Sequence, residues 1–156
     1  DHKLNVQKNN IINAKKLCKT EILIKNHPTQ NSIQDEIIDS SKQPRYAKAM
    51  DKTIKWVESK VNTEGYIYEN MMMATGFILF ADVKAAQKLC DEVYNTCMEL
   101  GQPECQIIWG VLSQKFENNL TKVDWNEINI DKAPYSFYVR TSAFLKRNVK
   151  RLLGKL

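Results

Sequence analysis

The chain has 156 residues, a formal net charge of +5, 43% hydrophobic residues and 26% charged residues. That length suits one domain with its own core, and the ordinary apolar content excludes global disorder. The longest apolar stretch, residues 66–81, is interrupted by Glu69, Asn70, Thr75 and Gly76. It is shorter than the ~20 residues a bilayer span needs, so no transmembrane segment is expected.

In chain order, residues 1–25 end in Ile22-Leu23-Ile24, which follows Leu17-Cys18 at helical spacing. Residues 26–43 read as loop around a short amphipathic turn with Ile33, Ile37 and Ile38, and Pro44 sits where helices begin. Ala47, Met50, Ile54, Val57 and Val61 recur at three and four residues, an amphipathic helix that Glu64-Gly65 breaks. Tyr66 to Phe80 is apolar on nearly every side and predicts a central buried helix. Asp82 caps a further helix carrying Val83, Ala86, Cys90, Val93, Cys97 and Leu100. Gly101 stops it and Pro103 opens its hairpin partner, with Cys105, Ile108, Trp109, Leu112 and Phe116. Residues 117–134 read as loop, and a last helix runs from about Tyr135 to Leu153. The expected fold is all-α: one domain over 1–156, an irregular disulfide-stapled bundle of five or six helices, with 1–10 and 26–43 as loop or mobile segments.

The even set Cys18, Cys90, Cys97 and Cys105 contains no C-x-x-C and lacks zinc spacing. His2 and His27 fall in polar N-terminal sequence expected to be mobile. No metal or cofactor is expected, and the cysteines read as disulfides of an oxidising compartment. Cys90 and Cys97 lie ~10 Å apart along a helix, too far to bond each other. Of the three pairings, Cys18–Cys90 with Cys97–Cys105 is favoured, the second stapling the hairpin. The chain opens at Asp1 with no initiator Met, as a mature protein does after signal cleavage. Asn119-Leu120-Thr121 is a glycosylation acceptor, compatible with a secreted, extracellular location.

No nucleophile–base constellation stands out, because both histidines precede residue 28. The Asp35-Glu36 and Asp91-Glu92 pairs read as solvated helix charge, and no glycine-rich loop is present, so an enzyme is not expected. Met71, Met73 and Phe77 are candidates for an adaptable apolar pocket. Residues 139–156 carry +6 with no acid, residues 1–25 carry +4, and the middle sums to −5. Lys146, Arg147, Lys150 and Arg151 are therefore the candidate partner-binding face, open to nucleic acid, anionic membrane or an acidic protein. A solvated face leaning on the acidic middle is the plain alternative.

Cys90-Asp91-Glu92-Val93-Tyr94-Asn95-Thr96-Cys97 places a tyrosine between two cysteines. With the Asn/Lys/Ile-rich composition, it resembles the Cys–Tyr–Cys motif of the aphid bicycle proteins, salivary effectors of sap-feeding insects. That family carries two such motifs and this chain one. The resemblance implies a secreted, non-enzymatic interaction protein delivered into host tissue, where it binds a host protein or another acidic macromolecule. The alternatives are an odorant-binding-like carrier of a small apolar ligand, and a membrane- or nucleic-acid-binding protein acting through the basic C-terminal helix.

Overall fold

The computed structural model describes residues 4–69, 72–128 and 131–132. The chain divides into two units, residues 8–129 and residues 1–7 with 130–156. In the smaller unit β1 (Leu4–Asn5) pairs antiparallel with β5 (Asp131–Lys132).

In the larger unit the order is α1 (Lys8–Leu17), β2 (Ile22–Asn26), α2 (Ile33–Ser41), α3 (Pro44–Glu64), β3 (Met73–Phe80), α4 (Val83–Leu100) and α5 (Gln106–Leu112). A 3₁₀ stretch, Ser113–Asn119, then leads into β4 (Leu120–Val123). The three strands form a mixed sheet in the order β3-β2-β4, with β2 antiparallel to β3 and parallel to β4. The fold therefore combines helices with a sheet, and the all-α expectation is overturned.

Two segments account for the correction. Ile22-Leu23-Ile24 is the central strand, not the end of a helix, and Met73–Phe80 is a strand, not a buried helix. A run of nearly continuous apolar residues shows neither a period of two nor one of 3.6, so strand and helix look alike in it. Ile22 pairs with both Phe80 and Leu120, and these distant partners decide the matter. The register shifts between Ile24 and Lys25, leaving Thr75, Gly76 and Phe77 outside the paired positions of β3. The centrally buried helix is instead α5, in which Ile107 through Leu112 are all buried.

α5 separates two apolar clusters. Ile108, Trp109 and Leu112 pack with Ile22, Ile24 and Met73 of the sheet and with Leu89 and Val93 of α4. Ile107 and Val111 pack with Ile33, Ile37, Met50, Val57 and Met72. Gly110 lets this helix approach closely: a Cβ there would stand 2.9 Å from the Met72 sulfur and 3.1 Å from Ile33 Cγ1.

The local signals placed several boundaries correctly. Pro44 opens α3, and Gly65, at φ 76°, ends it in the left-handed conformation. Gly101 at φ 65° follows α4 in the same way. The segment 26–43 is not merely loop: it contains α2, whose Ser32 cap accepts a hydrogen bond from the Asp35 amide at 3.1 Å. Likewise α1 begins at Lys8, the 3₁₀ stretch replaces the expected end of the helix at Phe116, and β4 forms within the segment 117–134 expected as loop.

The staples are absent as well. Cys18, Cys90, Cys97 and Cys105 are all free thiols, so the Cys18–Cys90 and Cys97–Cys105 pairing is overturned. Cys90, Cys97 and Cys105 pack against the core cluster between α4, α5 and the sheet, as apolar groups do. Cys18 Sγ donates to the Thr20 carbonyl at 3.1 Å.

Candidate functional site

An open cleft of about 240 Å³ lies where the end of β2, one face of α2 and the beginnings of α3 and α5 converge. Its side chains are polar: His27 from β2's end, Glu36 and Asp39 from α2, Arg45 and Tyr46 from α3, and Glu104 and Gln106 at α5.

Glu104 stands just before α5 and is only 5% exposed. Its Oε1 accepts from the Gln106 amide at 2.8 Å and its Oε2 from the Ile107 amide at 3.1 Å. These are the otherwise unpaired donors of the helix start. Behind it, the Glu104 amide donates to Gln102 Oε1 at 3.1 Å, and Gln102 Nε2 donates to Thr53 Oγ1 at 3.1 Å. Thr53 in turn donates to the Ala49 carbonyl at 3.0 Å, so a buried polar chain ties the carboxylate to the middle of α3. Burial pushes the Glu104 carboxyl up to about 6. The two amides pull it down, the Glu36 charge pushes it up, and Arg45 pulls it down.

Glu36 is 7% exposed, and its Oε1 accepts from the Ser40 hydroxyl at 2.7 Å one turn along α2. Asp39 accepts from Lys42 Nζ at 2.9 Å and from Gln30 Nε2, and these bonds hold its carboxyl below the usual range. Arg45 Nη2 donates to Gln43 Oε1 at 3.2 Å, and the guanidinium lies 4.4 Å from the Tyr46 ring centroid.

His27 belongs to the folded body, contrary to the expectation of a mobile segment. Its amide donates to the Met72 carbonyl at 2.7 Å. Its Nδ1 accepts from the Gln30 amide at 2.9 Å, which requires the proton on Nε2. Burial lowers its pKa, partly offset by Glu36, so the ring is neutral at pH 7. Gln106 is the exception to this satisfied network. Its Nε2 has no exposed surface and no hydrogen-bond partner.

The other sequence candidates lie elsewhere. Lys146, Arg147, Lys150, Arg151 and Met71 fall outside the described residues. Met73 is fully buried in the core, and Phe77 is half-buried on β3. The Asn119 amide nitrogen, which a glycan would take, donates to Glu21 Oε2 at 3.1 Å. Burial, followed by the neighbouring Cys105 and Glu104, pushes the Cys97 thiol up to about 11. Among the described residues, no group of three His, Cys, Asp or Glu side chains could hold a metal ion, and no helix is long and apolar enough to cross a membrane.

The cleft was missed in the sequence because Asp35-Glu36 reads there as solvated charge. One available signal was Ser32-x-x-Asp35, a cap that starts a helix and sets which of the two acids faces inward. The other was Glu104 after the Gly101 stop, an acid where a helix start attracts one. Comparisons of the chain with known protein families, curated proteins and solved structures find no match in any of the three.

Proposed function

We propose that this chain is a non-catalytic binding domain whose ligand seat is the cleft between α2, α3 and α5. The observation that carries this reading is the convergence of the buried carboxylates of Glu36 and Glu104 and the exposed guanidinium of Arg45 on one polar cleft. The volume, about 240 Å³, lies below the ~300–1,000 Å³ of sites for drug-sized ligands, so the occupant is small. The lining makes it polar, unlike the apolar ligand of a carrier.

The cleft's own bonds support binding rather than catalysis. Both Glu104 oxygens hold backbone amides, and His27 Nδ1 holds the Gln30 amide. Glu104 is thus held by backbone bonds, while His27 keeps an Nε2–H to donate to a ligand. The test is a nuclear magnetic resonance titration of the full chain with a library of small polar molecules. Shifts confined to the amides of residues 27–46 and 104–107 support the reading; shifts elsewhere, or none, sink it.

A further inference from the structure

Independently of the cleft, we propose that α1 is a contact surface for an anionic lipid bilayer. The helix is barely docked on its own protein: of its ten residues, Ala14 alone is buried. Ile11 and Ile12 stand 41% and 39% exposed, and Lys8, Lys15 and Lys16 are exposed beside them. At about 100° per residue these five positions share an arc of about 140°. Ala14 and the half-buried Leu17 lie on the other side. Two large apolar groups are therefore turned outward among ammonium groups.

Charge decides the class of occupant. Residues 8–20 hold Lys8, Lys15, Lys16 and Lys19 and no acid. Among the described residues, none of these four ammonium groups is in an ion pair. The next acid along the chain, Glu21, accepts from the Asn119 amide nitrogen at 3.1 Å. A face with cations and no anion of its own fits an anionic partner. Nucleic acid would use the lysines and leave the isoleucines in water. An anionic bilayer answers both, with lysines at the headgroups and isoleucines at the edge of the acyl layer. With only two isoleucines the contact is shallow and reversible.

The face is also held in place before it meets lipid. The Lys19 and Thr20 amides donate to Thr121 Oγ1 at 2.9 and 3.1 Å, which ties the end of α1 to β4. Lys19 Nζ donates to the Lys16 carbonyl at 3.2 Å, at the helix C-terminus where a cation is favoured. Little ordering is left to be done on binding.

Co-sedimentation of the full chain with vesicles of phosphatidylcholine, alone or with about 30 mol% phosphatidylserine, is the test. The anionic vesicles should bind about tenfold or more tightly, and affinity should fall as salt rises from about 50 to about 300 mM. Lys15→Gln with Lys16→Gln should weaken that binding about 25-fold, near fivefold per lysine. Ile11→Asn with Ile12→Asn, which leaves the charge unchanged, should weaken it about tenfold or more. Melting temperature checks folding, with Ile12→Ser alone as the second variant should the pair lower it. Replacing Lys146, Arg147, Lys150 and Arg151 by Gln controls for the basic C-terminus, and both α1 pairs should keep their effect in that background. No binding to anionic vesicles overturns the proposal, as does binding that only the C-terminal replacement abolishes. Binding weakened by the lysine pair and untouched by the isoleucine pair also overturns it. Tighter binding of duplex DNA, lost with the same lysine pair, would then assign the face to nucleic acid.

Discussion

The side-chain amide of Gln102 donates to the hydroxyl of Thr53 across 3.1 Å, with both residues essentially free of solvent. The bond joins the α4–α5 connection to the middle of α3, one step behind Glu104. Thr53→Val keeps the shape and removes the acceptor, leaving a buried amide donor unpaired. Stability should fall by about 1–3 kcal/mol in a denaturant titration. A change below about 0.5 kcal/mol would show that the chain of bonds does not carry this load.

Glu104 makes stability depend on pH in an unusual direction for a carboxylate. Its pKa rises on folding from the ordinary ~4.3 to about 6, so the folded state holds the proton more tightly than the unfolded chain. Its contribution favours folding at low pH and is lost as pH rises through about 6. At ~1.4 kcal/mol per unit, the difference in stability between the native chain and Glu104→Gln should move by about 2 kcal/mol between pH 4 and pH 7, in favour of the native chain at pH 4. His27 opposes this trend in both proteins: its pKa is lowered on folding, so its contribution is lost as pH falls through the ordinary ~6.5. Comparing the two proteins cancels that term. Parallel stability profiles would assign the raised pKa to another group.

Gly110→Ala should destabilise, although alanine ordinarily improves a helix by ~1 kcal/mol. The added carbon meets Met72 Sδ at 2.9 Å and Ile33 Cγ1 at 3.1 Å in a fully buried seam. Overpacking of this kind costs about 1–3 kcal/mol. Thermal unfolding is the measurement, and a raised melting temperature would contradict the close approach of α5.

Lys25 is 3% exposed on the central strand, an unexpected place for a charge. Its ammonium donates to the Ile128 carbonyl at 2.8 Å and lies 4.0 Å from the Trp125 ring centroid, while burial lowers its pKa. Lys25→Met keeps the apolar stem, removes a desolvated charge and releases both contacts. Global stability should change by less than about 1 kcal/mol, because the lost bonds and the relieved desolvation offset each other. Hydrogen exchange at residues 124–128 should nevertheless accelerate clearly. Unchanged exchange there would mean that the lysine does not hold this turn.

Local chemistry alone determined where α3 and α4 lie. Pro44, Gly65, Asp82 and Gly101 act on the backbone within a few residues of themselves, and between them the apolar positions keep the period of a helix with one wet face. The basic charge of residues 139–156 is likewise plain in the sequence, as a matter of composition. Tertiary structure decided the rest. Ile22–Ile24 and Met73–Phe80 become strands because they pair with each other and with Leu120–Val123, far along the chain. The cysteines are free thiols, three of them packed on the core, a result that even count and helical spacing could not anticipate. Glu36 and Glu104 are ordinary helix acids until α2 and α5 bring them to one cleft. Only there does burial, with a smaller push from the Glu36 charge, raise the Glu104 carboxyl.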